Sequence, residues 1–283
     1  MVTRQLLVLG PEVQEKIFNL KILVVGCGAL GSSILEQLVR LGAENITVMD
    51  ADVVEISNLH RTHLFRYEDV GKPKALVCSQ RAMEINPGAK VKPILDVLDE
   101  TNAEEMVKGV DLVFDALDSV NSRLILNDAC VKNRIPLIYG GVSGEYGSAM
   151  LVKPGETPCL SCFMEPQEGT DACETVGTTP MTVSLVATSQ VQLMLRLLRG
   201  DYASGLYYID AGSLSIDLIK MERNPSCQAC SLMTYKYLKG LGHSCGIVRV
   251  KENPPEGSPV PYVKRVNDGL LICYEKCFKK IGR

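Results

Sequence analysis

Over roughly the first 150 residues, short apolar stretches alternate with segments of helical periodicity. The stretch at 20–28 is rich in β-branched residues and ends at glycine, as a buried parallel strand does. Further strands are predicted at 44–52, 91–96, 110–117 and 135–142, and helices at 30–41, 72–86 and 121–133. This alternation is typical of an α/β fold with a doubly wound, mostly parallel, Rossmann-like sheet.

The pattern changes after residue 140. A strand is predicted to lead into a turn near 159–162, and the polar, Gly- and Thr-rich segment 166–180 predicts a loop. The apolar segment 181–200 predicts a helix whose length suggests burial, and 206–222 predicts a hairpin or strand pair. The parallel sheet is therefore expected to continue in antiparallel strands.

Composition narrows the class of protein. The chain has 283 residues, a formal net charge of −3 and no tryptophan, which argues against a nucleic-acid or anionic-membrane surface. No apolar run approaches the ~18–20 residues of a membrane span, and the N-terminus lacks a signal-peptide pattern. We therefore expect a cytoplasmic protein that has no nucleic-acid or membrane partner.

Eleven cysteines, an odd number, make a disulfide scaffold improbable and favour metal binding or thiol chemistry. Four of them form two C-x-x-C pairs, Cys159 with Cys162 and Cys227 with Cys230. Their wide separation leaves zinc and redox chemistry both open, although two pairs in one chain favour a metal. Three others, Cys27, Cys78 and Cys130, lie in apolar segments and are expected to be small buried hydrophobic residues.

A glycine-rich turn follows the first predicted strand. Gly26, Gly28 and Gly31 open the next predicted helix, where backbone amides can hold phosphate. Asp50 ends the following strand, in a position to bind a ribose hydroxyl. Taken alone, these residues predict a nucleotide site, and a dinucleotide dehydrogenase is the default interpretation.

Further motifs change that interpretation. The segments DADVVEISNLHRTHLF (50–65), GKPKA (71–75) and DALDSVNSR (115–123) follow in order, with RQ near the start. Together with the cysteine pairs, this set resembles the adenylation domain of the MoeB/ThiF family, relatives of the ubiquitin-activating enzymes. The resemblance covers roughly residues 3–235. Thr62 and Ser119 depart from it, since the family usually has glutamine and asparagine there.

The resemblance implies a reaction in which a carboxylate attacks the α-phosphate of ATP and pyrophosphate leaves. Several negative charges must then be held together, which requires cations and a metal. It places Asp50 and Asp52 with the glycine loop in nucleotide binding, and Asn58, Arg61 and Lys74 at the phosphates. It also makes Asp118 the Mg²⁺ ligand, Arg4 a residue that reaches a partner protomer's site, and Cys173 a candidate nucleophile.

The same resemblance makes the four paired cysteines a structural zinc site and the protein a homodimer that uses ATP and Mg²⁺. The expected substrate is the C-terminal glycine of a ubiquitin-like sulfur carrier of the ThiS or MoaD kind. Adenylation of a small-molecule acid, such as the guanylylpyridinol of iron-hydrogenase cofactor, is an alternative. A non-catalytic nucleotide-binding partner subunit is another, whereas an NAD-dependent oxidoreductase would not need Arg61, Lys74 and Asp118.

Two regions are expected along the chain. Residues 1–239 form the adenylation domain, with both cysteine pairs inside 159–230. Residues 240–283 form a C-terminal extension, for which the sequence indicates a Pro-rich link and a short helix-like end.

Overall fold

A computed structural model describes residues 2–165, 177–240, 247–266 and 269–281. Its α-helices are α1 (Thr3–Asn19), α2 (Ala29–Leu41), α3 (Lys74–Ile85), α4 (Ala103–Val107), α5 (Val120–Lys132) and α6 (Pro180–Arg199). Its strands are β1 (Lys21–Val25), β2 (Asn45–Met49), β3 (Lys90–Ile94), β4 (Leu112–Asp115), β5 (Leu137–Ser143), β6 (Tyr146–Val152), β7 (Gly205–Asp210), β8 (Ser215–Lys220), β9 (Ile247–Val250), β10 (Tyr262–Val266), β11 (Gly269–Cys273) and β12 (Cys277–Ile281).

Eight strands form one sheet in the order β3-β2-β1-β4-β5-β6-β7-β8. The first five are mutually parallel, and β6, β7 and β8 continue the sheet in antiparallel pairs. The order reverses at β1, so the carboxyl ends of β1, β2 and β4 meet at one edge. The predicted fold class is confirmed, and this edge is where such sheets bind ligands.

Two apolar cores cover the faces of the main sheet. On one face, α2, α3 and α6 contribute buried residues such as Ile34, Val77 and Val186. On the other, α5 packs with the cysteine-bearing loops, and Leu124, Cys159 and Cys227 are buried together. A strand enclosed on both faces has no polar side, which explains the continuous apolar run of β1.

Among the described residues, α6 is the one helix long and apolar enough to cross a membrane, with a mean hydropathy of 1.3 over its most apolar stretch. This corrects the expectation that no apolar run approaches that length. Half of the stretch is buried in this structure, where Val183 and Val186 pack in the core beside β5, β6 and α2. The helix thus covers one face of the sheet, as its apolar length suggested.

The first helix was not expected from the sequence. Gly10, which has a positive φ of 76°, and Pro11 interrupt α1 and break its apolar periodicity. Beyond the kink, Val13, Gln14 and Ile17 are buried, and Gln14 Nε2 donates to the Leu41 carbonyl at 2.9 Å. The second half of α1 is therefore anchored to the end of α2.

The C-terminal extension forms a separate four-stranded antiparallel sheet in the order β10-β11-β12-β9. This corrects the expected helix-like end. Alternate residues of β11 face opposite sides, with Ile272 in one apolar cluster and Leu271 and Cys273 in another. Because both faces are buried, the sequence lacks the polar alternation that marks a strand.

Among the described cysteines, two disulfides correct the expectation drawn from the odd cysteine count: one joins Cys27 to Cys78, and the other joins Cys273 to Cys277 across the β11–β12 turn. Cys27 and Cys78 are buried as predicted, but α3 packs beside the glycine loop and brings their sulfur atoms together. Cys130 is buried with a free thiol, and burial raises its pKa.

Candidate functional site

A cavity of about 910 Å³ opens at the carboxyl ends of β1, β2 and β4. Eight of the residues expected at the nucleotide site line it together: Gly26, Gly28, Asp50, Asp52, Asn58, Arg61, Lys74 and Asp118. They come from four segments separated in the sequence, and the parallel sheet brings those segments to one edge. The cavity is therefore the candidate active site.

The glycine loop forms one wall of this cavity. Gly26 has a φ of 92°, and a Cβ there would lie 2.5 Å from the Ala116 carbonyl oxygen. A Cβ on Gly31 would collide with the Gly26 carbonyl oxygen, so this glycine lets α2 pack closely on the loop. Gly28 and Ala29, at the start of α2, line the cavity, where helix N-terminal amides favour an anion.

The loop also orients Asp50. The backbone N–H of Cys27 donates to Asp50 Oδ2 at 2.7 Å, and that of Asp52 donates to Oδ1 at 2.8 Å. Burial raises the pKa of this carboxyl, against the effect of these hydrogen bonds and of Lys74. Each oxygen keeps a second lone pair, which can accept from a ribose hydroxyl.

Lys74 and Asp52 form a buried ion pair, with Nζ 2.7 Å from Oδ2. Lys280 of β12 contacts the same oxygen at 2.8 Å and Glu55 at 2.9 Å. Burial disfavours the charged form of Lys74, but Asp52, Asp50 and Asp118 raise its pKa above the usual value. The ammonium group thus stays charged at the cavity wall.

Asp118 is exposed to the cavity on the loop that follows β4. Buried Arg123 holds that loop, since its guanidinium donates to the Leu117 carbonyl and, at 2.8 Å, to the Gly140 carbonyl. An exposed carboxylate on a fixed loop suits Mg²⁺, which takes one or two carboxylates plus substrate phosphates.

The remaining phosphate residues lie on the segment after β2. Asn58 is buried, and its Oδ1 accepts from the Glu55 N–H at 3.0 Å. Arg61 Nη1 donates to the Ser57 carbonyl at 2.7 Å, and Thr62 Oγ1 donates to the Asn58 carbonyl at 3.1 Å. Local hydrogen bonds therefore hold both the expected residues and the atypical Thr62 at the cavity rim.

The four paired cysteines converge away from the cavity. All four Sγ atoms lie within 4.8 Å of one another, with Cys159 to Cys227 at 3.6 Å and Cys162 to Cys230 at 3.5 Å. Tetrahedral Zn²⁺ at about 2.3 Å from each sulfur needs sulfur atoms roughly 3.8 Å apart. The donor set and spacing fit one ion that links the segment after β6 to the segment after β8.

Two of the expected residues in the described part of the chain do not line the cavity. Gly31 serves packing, and Arg4 lies on the exposed side of α1. Cys173 lies outside the described residues. The roles expected for Arg4 and Cys173 stay predictions.

Other cavity residues were not singled out from the sequence, among them Glu55, His60, Arg123, Arg265 and Lys280. Arg123 is the last residue of the motif at 115–123, so this motif could have identified it from the sequence. Arg265 and Lys280 come from the C-terminal sheet, and no local motif marks them.

Comparison with known proteins agrees with this geometry. The ThiF family pattern matches residues 2–229. The sulfur carrier protein ThiS adenylyltransferase of Bacillus subtilis is 34% identical over 242 residues, covering 81% of this chain and 70% of that protein. The SAMP-activating enzyme E1 of Haloferax volcanii is 34% identical over 229 residues, covering 78% and 84% respectively. The crystal structure of E. coli MccB with ATP matches with a TM-score of 0.66 and 25% identity, covering 79% of this chain and 69% of that chain.

Proposed function

This chain is an adenylyltransferase that belongs to the ThiF family, and we propose that it activates the C-terminal glycine of a ubiquitin-like sulfur carrier with MgATP. The observation that carries the proposal is the meeting of the glycine loop, Asp50, Lys74 and Asp118 in one cavity. The nature of the carboxylate is supported by the relative from Bacillus subtilis, whose name refers to the adenylation of the sulfur carrier protein ThiS.

In the proposed reaction, a carboxylate oxygen of the carrier attacks the α-phosphorus of ATP. The bond from that phosphorus to the bridging oxygen breaks, and pyrophosphate leaves with its electron pair. Asp50 holds the ribose, while Lys74 and Arg61 stabilise negative charge on the phosphates. Asp118 holds Mg²⁺, which neutralises further phosphate charge when it is bound.

An exposed aromatic pair supports a protein substrate. Tyr146 and Tyr208 stack with ring centroids 6.0 Å apart, and they are 52% and 38% exposed. Exposed aromatic pairs are typical of protein-recognition surfaces. A small acid needs no such surface.

The proposed assembly is a homodimer in which Arg4 enters the partner's site. Leu7 and Val8 are 89% and 77% exposed and lie three and four positions after Arg4, on the same side of α1. A second copy that buries these apolar side chains would also carry Arg4 across the interface. A guanidinium supplied in this way would neutralise phosphate charge.

The proposed zinc is structural. Three of its four cysteines are buried in the core behind α5, and Asn127 of that helix accepts from the Leu160 N–H at 2.9 Å. Four thiolates leave no open position for a substrate. The metal would therefore contribute folding free energy and not chemistry.

The test of the proposed function is direct detection of the product. The protein is incubated with MgATP and purified carriers of the ThiS and MoaD type, and the carrier's mass is measured. The mass of an AMP adduct at the C-terminus is the expected result. A carrier that lacks its terminal glycine should stay unmodified, and an unmodified intact carrier would contradict the proposal.

A further inference from the structure

The C-terminal sheet lies against the segment that positions the nucleotide residues. Ile272, Tyr274 and Phe278 form a buried apolar cluster with Ala51 and Val53, directly after β2. Tyr274 Oη donates to the Ala51 carbonyl at 3.2 Å. This contact places the sheet beside Asp50 and Asp52, although it lies beyond residue 229, where the family match ends.

Two ion-pair groups fix the position of the sheet. In the first group, Arg249 contacts Asp96 at 2.8 Å and Asp99 at 2.9 Å, and Lys276 contacts Asp96 at 2.9 Å. In the second group, Lys280 contacts Asp52 and Glu55. Lys280 lines the cavity, whereas Arg249 and Lys276 do not. Lys280 is therefore placed to contact a ligand in the cavity, and Arg249 and Lys276 are not.

Lys280 changes the charge available to a nucleotide. Its ammonium group and that of Lys74 contact one oxygen, Asp52 Oδ2, at 2.8 and 2.7 Å. Glu55 is the second carboxylate of this group, 2.9 Å from Lys280, so a phosphate that enters the cavity can reach the Lys280 ammonium group by displacing Glu55. Burial opposes the charged form of Lys280, but Asp52 raises its pKa, which keeps the group cationic.

We propose that Lys280 is an additional nucleotide-binding residue and that the C-terminal sheet completes the ATP site. The ligand class is a nucleoside triphosphate. Its phosphate oxygens accept hydrogen bonds from the Lys280 ammonium group and replace Glu55 as the acceptor. This inference rests on the proposed use of ATP. It adds a cation that comes from outside the region matched to the family.

The test is the affinity of the full chain for a non-hydrolysable ATP analogue with Mg²⁺, measured by calorimetry. Lys280→Met should weaken binding roughly tenfold, the loss of one charge-assisted hydrogen bond. Lys280→Arg should restore most of the affinity. Lys276→Met is the matched control, because it removes a lysine of the same sheet that does not itself line the cavity, although its partner Asp96 does, and it should bind normally.

A second measurement needs no substitution. The ATP analogue should protect Lys280 of the unaltered protein from acetylation, as seen by peptide mass spectrometry, and leave Lys276 unprotected. Absence of this protection would overturn the inference. So would normal binding by Lys280→Met, or equal weakening by Lys280→Met and Lys276→Met, because equal losses mean that Lys280 only tethers the sheet.

The variant Lys74→Met distinguishes a failure of the Lys280 proposal from a failure of the proposed function, the use of ATP. If Lys74→Met abolishes binding and Lys280→Met has no effect, only the role of Lys280 is wrong. If the unaltered protein fails to bind the analogue, the proposed ATP site is wrong as well.

Discussion

The ammonium group of Lys74 lies 2.7 Å from Asp52 Oδ2, and both side chains are at most 10% exposed. Such a pair costs desolvation energy, and it is strongly destabilising to remove one partner because the other charge stays buried. In return for this desolvation energy, the pair keeps a charged lysine at the wall of the nucleotide cavity.

Asp52→Asn should destabilise the fold by about 3 kcal/mol at pH 7, since it removes the partner of two lysines. Burial raises the pKa of Asp52, but Lys74 and Lys280 lower it by more than burial raises it, so the net shift of this pKa is downward. The stabilisation is therefore fully present above the unfolded pKa of about 3.9 and is lost as the pH falls through the lower folded pKa.

Urea unfolding at several pH values checks this prediction. The difference in unfolding free energy between Asp52→Asn and the unaltered protein should shrink as the pH falls below 4 (about the unfolded pKa of an aspartate). Asp201→Asn, at a side chain that is 78% exposed, should show little difference at any pH. A constant Asp52→Asn difference across the range would refute the assignment.

Asp118→Asn should lower the rate of adenylate formation at least about 100-fold, the scale of losing one electrostatic contact to a developing charge. The fold should be unchanged, because Asp118 is exposed. Pyrophosphate exchange into ATP measures the loss, and thermal melting serves as the control for folding. The protein should bind MgATP and not NAD. Full exchange activity in Asp118→Asn would show that another group holds the metal.

Metal analysis of the purified protein should find one zinc ion per chain. Cys230→Ser should lose the metal and lower the melting temperature, because zinc binding contributes to folding. Cys130→Ala removes another buried thiol outside the cluster, so it should keep the zinc. Native protein without zinc would rule out the proposed ion.

Mixing two inactive variants tests the shared site. Arg4→Ala and Asp118→Ala chains should each be inactive alone, since one lacks the proposed arginine from the partner and the other the proposed metal ligand. A mixed dimer has one site with both residues intact and should recover part of the activity. If heterodimers form and no activity returns, Arg4 does not act across the interface.

Local motifs made most of the site predictable. Asp50, Lys74 and Asp118 each follow a strand or begin a helix, and a parallel sheet brings such positions together at one edge. Lys280 could not be found in this way. It meets Asp52 across 228 residues of sequence, through a sheet in which β11 is buried on both faces. The Cys27–Cys78 contact has the same origin, because helix packing and not spacing brings the two thiols together.

The central claim is that this chain adenylates a protein carboxylate. The most direct measurement is pyrophosphate exchange into ATP, with a purified ubiquitin-like carrier, the same carrier without its terminal glycine, and a panel of small carboxylic acids. We predict exchange only with the intact carrier, and its loss in Asp118→Asn. Exchange with a small acid and none with any carrier would contradict the account and assign the enzyme a small-molecule substrate.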